Sequence, residues 1–62
     1  MKERLMYRRV GELEVWIERV WWSYDVVVVE RGRTTTTTMK RLEDAKRMVN
    51  QLCVIARRGR NG

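Results

Sequence analysis

The sequence predicts an α+β fold, in which a small antiparallel β-meander of three or four strands precedes one C-terminal amphipathic helix packed on one sheet face. Up to residue 39, short runs of alternating or β-branched residues are separated by breaks that suit turns. From residue 42, apolar residues recur every three or four positions, which is the period of a helix. A stretch of 62 residues makes one domain at most, so we expect that domain over residues 1–58 and a short basic tail over residues 59–62.

A period of two marks the strand that follows Gly11. In the run LEVWI, the apolar residues Leu13, Val15 and Ile17 alternate with a polar and an aromatic residue, as in a strand that buries one face. These three residues form the predicted core face. Trp16 then points to the opposite face.

Gly11 also predicts the hairpin that contains this strand. Glycine suits the first central position of a type II′ turn, and the preceding residues LMYRRV then form the first strand. The resulting register pairs Val10 with Leu13, Arg9 with Glu14 and Arg8 with Val15. Farther from the turn, it places Tyr7 opposite Trp16 and Met6 opposite Ile17. We expect the aromatic pair to lie on the sheet face away from the helix.

Two segments have an alternative prediction. KERLMYRRV, residues 2–10, consists largely of adequate helix formers, so a short first helix is the alternative to a strand there. CVIAR, residues 53–57, is apolar and β-branched, so a final strand is the alternative to the helix there.

A run of four valines and a run of five threonines flank the break ERGR and predict a second hairpin. Beta-branched residues fit pleated sheets, and Arg31 with Gly32 supplies the turn. The third strand, Val26–Glu30, has valines on both faces, which indicates a position inside the sheet. The fourth strand, Arg33–Met39, is then an edge strand.

Threonines line both faces of this predicted edge. Thr35 and Thr37 share the core side, and the solvent-facing row consists of Thr34, Thr36 and Thr38. Neither lysine nor proline interrupts the run, so little protects the edge from pairing with another chain. The run is either a dimerisation edge or a polar binding face, and we assign its solvent-facing row to the interface of a homodimer.

The last element is predicted as a helix that starts at Leu42. Glu43 and Asp44 occupy its first turn and arginines its last, in the arrangement that the helix dipole favours. Arg41 stands at the N-cap position, where Ser or Asp is preferred. Gly59 is expected to end the helix in a left-handed conformation.

Trp21 and Trp22 are adjacent, so in a strand they point to opposite faces. Trp21 has the parity of Leu13 and Ile17 and is expected in the core. Trp22 is then left outside the core. Excess aromatic surface usually marks an interface, and we assign Trp22 to one.

The distribution of charge points to a polyanionic partner. The net charge is +6, and eleven of the fourteen basic residues are arginine, which is suited to bidentate phosphate contacts and to stacking on bases. Residues 40–62 hold seven basic and two acidic groups, whereas residues 1–39 hold seven and six. Polyanion binding is therefore expected mainly in the C-terminal third.

The predicted function is that of a small, basic, non-enzymatic protein that binds DNA or RNA through the phosphate backbone, with base stacking on the aromatic pair. The candidate contact residues are Tyr7, Arg9, Trp16, Arg31, Arg33, Arg57, Arg58 and Arg60. The alternative is a protein-binding or inhibitory module that docks through the threonine edge and the tryptophans, and whose charge steers it to an acidic partner.

Catalytic equipment is scarce in the sequence. There is no histidine, Ser23 is the only serine, and no glycine-rich phosphate loop is present, so we expect no catalytic residue, cofactor or metal. Cys53, the only cysteine, lies among apolar residues and is expected to be buried. One unpaired cysteine favours a reducing compartment, and no run reaches the ~18 apolar residues of a membrane span, which predicts a cytoplasmic protein.

Overall fold

In the computed structural model, which describes residues 3–60, the chain forms four strands and one helix. In chain order the elements are β1 (Glu3–Val10), β2 (Leu13–Val20), β3 (Ser23–Glu30), β4 (Arg33–Met39) and α1 (Leu42–Arg60). The strands pair in the order β1-β2-β3-β4 as an antiparallel meander, and α1 packs on one face of the sheet. The predicted fold class is confirmed, with four strands.

The two alternative predictions are wrong. Residues 3–10 are extended and pair with β2, and residues 53–57 belong to α1, where Cys53 is part of the core. In both segments, tertiary contacts outweigh the local preference. The third strand begins at Ser23, earlier than the predicted Val26, and it lies inside the sheet as predicted.

The register between β1 and β2 follows the prediction only near the turn. The predicted pairs that form are Val10 with Leu13, Arg9 with Glu14, and Arg8 with Val15. Farther from the turn, Leu5 rather than Met6 lies opposite Ile17, so the pairing predicted for Met6 is wrong. Met6 and Tyr7 together oppose Trp16, and Met6 has a φ of +45°, which is the geometry of a β-bulge.

Two of the three turns have the positive φ angles that their glycine residues predict. Gly11 has a φ of +61°, as the first central residue of a type II′ turn requires. Arg31 and Gly32 have φ values of +51° and +81°, and two positive values in succession are typical of a type I′ turn. Both turn types match the twist of their flanking strands, and both turns lie at the same end of the sheet.

The third turn is formed by Trp21 and Trp22, between the paired residues Val20 and Ser23. Trp21 is 80% exposed, so its predicted place in the core is wrong. The physical reason is that β2 ends at Val20, so the alternation of side chains between the two sheet faces does not extend to Trp21. Trp21 also has a φ of +44°, which is a strained conformation for a bulky residue.

The core lies between the sheet and α1. Its fully enclosed members come from β2, β3 and the inner side of the helix, and they are Val15, Ile17, Val26, Ala45, Val49 and Cys53. The burial predicted for Cys53 is confirmed. Tyr24 and Met39 pack against this cluster, so the helix covers the predicted face of the sheet.

The two ends of α1 differ in how well they match the prediction. Arg41 occupies the N-cap position as predicted, because its carbonyl accepts the Ala45 backbone N–H at 3.2 Å. The left-handed end predicted at Gly59 is wrong, since the helix continues through Gly59 to Arg60. Residues 61 and 62 of the predicted tail lie outside the described residues.

Candidate nucleic-acid interface

The sheet face away from α1, which we call the open face, carries the predicted aromatic pair. The rings of Tyr7 and Trp16 are stacked, with centroids 6.3 Å apart and an interplanar angle of 24°. Trp16 is half-buried and Tyr7 is exposed. The structure therefore brings the two residues together as predicted.

Three further groups already contact this pair. The Tyr7 hydroxyl donates a hydrogen bond to Glu14 Oε1 at 2.8 Å, and Trp16 Nε1 donates one to Glu18 Oε1 at 3.1 Å. The guanidinium carbon of Arg4 lies 4.3 Å from the centroid of the Trp16 ring, which is within the range of a cation–π contact. The aromatic pair is thus part of a network within the protein.

Arg4 was absent from the predicted site because of the bulge. In an uninterrupted strand with the predicted register, Arg4 lies on the core side and Leu5 on the open face. The extra residue at Met6 reverses this parity, so that Arg4 pairs with Glu18 on the open face. The one sign of the bulge in the sequence is that an uninterrupted strand would place the apolar Leu5 on the solvent-exposed open face.

The charge of the open face does not favour phosphate. Arg4 and Arg9 stand on it with three carboxylates, Glu14, Glu18 and Asp25. Arg9 donates a hydrogen bond to the Gly11 carbonyl at 3.3 Å, so part of its donor capacity is used within the hairpin. A strand of phosphates crossing this face meets more negative than positive groups.

Glu14 also affects the protonation of its neighbour. The hydrogen bond that Tyr7 donates to Glu14 raises the pKa of the Tyr7 phenol, and the negative charge of Glu14 acts in the same direction. The neutral hydroxyl is favoured because a phenolate cannot donate this hydrogen bond and is repelled by the carboxylate.

The arginines predicted to hold phosphate lie at one end of the molecule. The β1–β2 and β3–β4 turns lie at that end, and α1 runs back to it from the opposite end of the sheet. A cleft there is lined jointly by both turns and by the last two turns of α1, with Arg31 facing Gly59 across it. We call this region the arginine end and define it by Arg31, Arg33, Arg57 and Arg58.

All four side chains of the arginine end are exposed. Arg60 is the last residue of α1 and lies at the same end. The nearby carboxylates are those of Glu12 and Glu30. Glu12 lies 3.5 Å from Arg31, but both side chains are more than three-quarters exposed, so this ion pair contributes little stability. The positive groups at this end outnumber the negative ones, which is the reverse of the open face.

The opposite end of the molecule carries the two turn tryptophans. Trp21 and Trp22 are 80% and 87% exposed, and their ring centroids are 5.8 Å apart at an angle of 30°. Exposed apolar surface of this kind often marks a contact with another molecule. The assignment of Trp22 to an interface stays a prediction.

The threonine row of the predicted interface lies on an edge strand. β4 pairs with β3 only, and Thr34, Thr36 and Thr38 are exposed. The Thr38 hydroxyl donates a hydrogen bond to Asp25 Oδ1 at 2.9 Å. The row is therefore accessible along its length, as the sequence predicts.

Comparisons of the chain with protein-family models, curated proteins and solved structures found no match. Within residues 3–60, no helix is long and apolar enough to cross a membrane. The same residues contain no group of three or more Cys, Asp or Glu side chains placed to hold a metal ion. The geometry alone therefore carries the functional argument.

Proposed function

We propose that this protein is a small, non-enzymatic nucleic-acid-binding protein that holds the phosphate backbone at its arginine end. The observation that carries the proposal is the meeting of two separate arginine-rich segments, residues 31–33 and residues 57–60, at one end of the fold. Clustered guanidinium groups on one surface are the electrostatic signature of phosphate recognition.

The arginine end is better suited to this role than the open face. Its guanidinium groups are exposed and outnumber the local carboxylates, whereas the Trp16 ring on the open face already contacts Arg4 and Tyr7. Base stacking on Tyr7 and Trp16, with Arg9 beside them, is the second part of the proposal. Contacts to the phosphate backbone alone predict little discrimination between sequences.

Fluorescence anisotropy with labelled single-stranded and double-stranded oligonucleotides tests the proposal. We expect dissociation constants below about 10 μM at 50 mM KCl, with affinity falling steeply as salt rises. Binding releases cations from the phosphates, and added salt makes this release less favourable. The variant Arg57→Gln/Arg58→Gln should weaken binding about tenfold or more and lower the magnitude of the log–log salt slope by about two.

A matched control lies on the same helix. Lys46→Gln/Arg47→Gln removes the same charge about 16 Å away along α1, at exposed positions in its N-terminal half. This control should bind nearly as well as the unmodified protein. An equal loss in both variants would show that only net charge matters, and the absence of binding by the unmodified protein at 50 mM KCl would refute the proposal. A Trp16→Leu variant reports separately on base stacking.

The exposure of Trp21 and Trp22 favours a second candidate function, a protein-binding or inhibitory module. Tryptophans placed at a turn tip add nothing to the core, and one of them is held in a strained conformation. This alternative predicts that Trp22→Ala abolishes binding to an acidic protein partner while Arg57→Gln/Arg58→Gln only slows association. Isothermal titration and stopped-flow measurements separate the two effects.

We further propose that the protein acts as a homodimer in the cytoplasm. The location is supported by one buried, unpaired cysteine, Cys53, which suits a reducing compartment.

A further inference from the structure

The two edges of the sheet differ in their protection against pairing with another strand. The β1 edge contains the bulge at Met6 and carries four charged residues, which are Glu3, Arg4, Arg8 and Arg9. The β4 edge pairs with β3 without interruption from Arg33 to Met39, and every residue between those two is threonine. Bulges and charges are the usual protection of an edge strand, and β4 has neither within the threonine run.

The unpaired backbone groups of β4 belong to alternate threonines. Glu30 and Arg33 flank a two-residue turn and form its closing hydrogen-bonded pair. Backbone groups alternate in direction along a strand, so those of Thr34, Thr36 and Thr38 point away from β3. Among residues 33–39, these three therefore offer free N–H and C=O groups along the edge.

The helix leaves this edge accessible. Met39, at the end of β4, is the one hydrophobic residue of that strand and packs against the core cluster. Thr34, Thr35 and Thr36 are exposed, so both sides of the strand are open near its centre. A second strand can approach without displacing α1.

We propose that β4 pairs with β4 of a second copy of the chain, antiparallel and with Thr36 at the two-fold axis. In this register Thr36 faces Thr36, and Thr34 faces Thr38 of the second copy. Each of these pairs exchanges two backbone hydrogen bonds, and the two sheets join into one continuous sheet with both helices on the same face.

The threonine run identifies the second copy as the occupant. Five identical residues read the same in both directions, so antiparallel self-pairing places threonine opposite threonine throughout the run. Thr–Thr pairs across strands are favourable. The run contains no charged residue, so no like charges face each other within it. A peptide of another sequence gains no comparable match from a row without pockets or charge.

The charges beyond the run predict an unusual salt dependence. Arg33 faces Met39 of the second copy, so Lys40 of the second copy approaches the Arg31 turn, and this pair of cations repels. Added salt screens that repulsion. Dimerisation should therefore strengthen with salt, whereas binding to phosphate weakens with it.

The strand pairing rests on the proposed homodimer, and sedimentation velocity without oligonucleotide tests it independently of nucleic-acid binding. We expect a species of twice the 7.5 kDa chain mass to accumulate as the protein concentration rises from 10 to ~500 μM, the range of a small interface. Raising NaCl from 50 to 500 mM should lower the dissociation constant. A monomer at ~500 μM, or a dimer that dissociates as salt rises, would overturn the proposal.

Three substitutions at the axis make the test specific. Thr36→Pro removes the outward N–H at an edge position where proline is tolerated, and Thr36→Lys places two ammonium groups opposite each other. Each should raise the dissociation constant at least tenfold. Thr36→Val keeps the N–H and the strand preference and should leave the dimer intact.

Circular dichroism establishes which variants are folded. If Thr36→Pro fails to fold, the exposed Thr36→Lys substitution still decides the question. Dimerisation of folded Thr36→Lys as tight as that of the unmodified protein, or loss of the dimer in folded Thr36→Val, would overturn pairing through this edge.

Discussion

On the face of the sheet beneath α1, Val15, Ile17 and Val26 are fully buried, whereas on the open face Trp16 is half-buried and Tyr7 is exposed. The covered face is held by close packing of aliphatic side chains. The open face is held by hydrogen bonds, ring stacking and a cation–π contact. One sheet thus uses two kinds of stabilisation, and they differ in their sensitivity to substitution.

The open face nevertheless has a small apolar centre of its own. Val27 points to this face, between Trp16 on β2 and Thr36 on β4, and is only 6% exposed. The Trp16 ring therefore shields a neighbouring valine from water. A short chain that covers only one face with a helix can protect the other face with one large side chain.

The comparison of faces predicts unequal costs for the same substitution on one strand. Val26→Ala removes two buried carbons beneath α1 and should lower the free energy of unfolding by about 2–3 kcal/mol, from lost burial and the cavity left behind. Val29→Ala, on the half-buried open face, should cost less than about 1 kcal/mol. Urea denaturation measures both.

Equal losses in these two variants would contradict the distinction between the faces. A domain of this size has a total stability of roughly 3–9 kcal/mol, so Val26→Ala should also lower the midpoint of unfolding visibly. The slope of the denaturation curve provides the control, since an unchanged slope shows that the unfolded states are comparable.

Periodicity alone was sufficient to predict which residues lie beneath the helix. Leu13, Val15 and Ile17 alternate without interruption, and a shift of one residue would expose all three. The bulge was not predicted, because Met6, whose φ is +45°, is acceptable in a regular strand. The turn at Trp21 and Trp22 was missed for a related reason, since neither residue carries a turn signal.

The candidate site was predicted in parts. The sequence identified Arg31, Arg33, Arg57 and Arg58 individually, but their place at one end depends on the path of the chain after the β3–β4 turn. β4 leads away from that turn, so α1 starts at the opposite end of the sheet and runs back. The sequence left a final strand open as the alternative to the helix over residues 53–57, so the position of Arg57 and Arg58 could not be derived from it.

The strength of the contact between Arg4 and Trp16 on the open face can be measured as a coupling energy. A double-mutant cycle of Arg4→Ala and Trp16→Leu should give a coupling energy of about 0.5–1 kcal/mol, because the guanidinium lies over the ring at an exposed site. Unfolding free energies of the four proteins supply the cycle.

The matched control for this cycle is Arg8→Ala in place of Arg4→Ala. Arg8 is also exposed on β1 but pairs with Val15, on the covered side of the sheet. It should show no coupling with Trp16. Absence of coupling with Arg4 would indicate that β1 continues without the bulge, because Arg4 would then lie on the covered side of the sheet.

The smallest expected effect is the most specific test of the open-face network. The hydrogen bond to Glu14 raises the pKa of Tyr7, so the stabilisation that it provides is present at neutral pH and is lost as the pH rises through the folded-state pKa. In a Tyr24→Phe background, ultraviolet absorbance reports Tyr7 alone. Glu14→Gln should lower its pKa toward the ordinary value of about 10, because the carboxylate charge and the strongest hydrogen-bond acceptor are removed together. The control Glu12→Gln removes the same charge at the neighbouring turn, where Glu12 lies beside Arg31. It should leave the pKa of Tyr7 almost unchanged. An equal decrease of this pKa in both variants would attribute the shift to net charge rather than to the hydrogen bond.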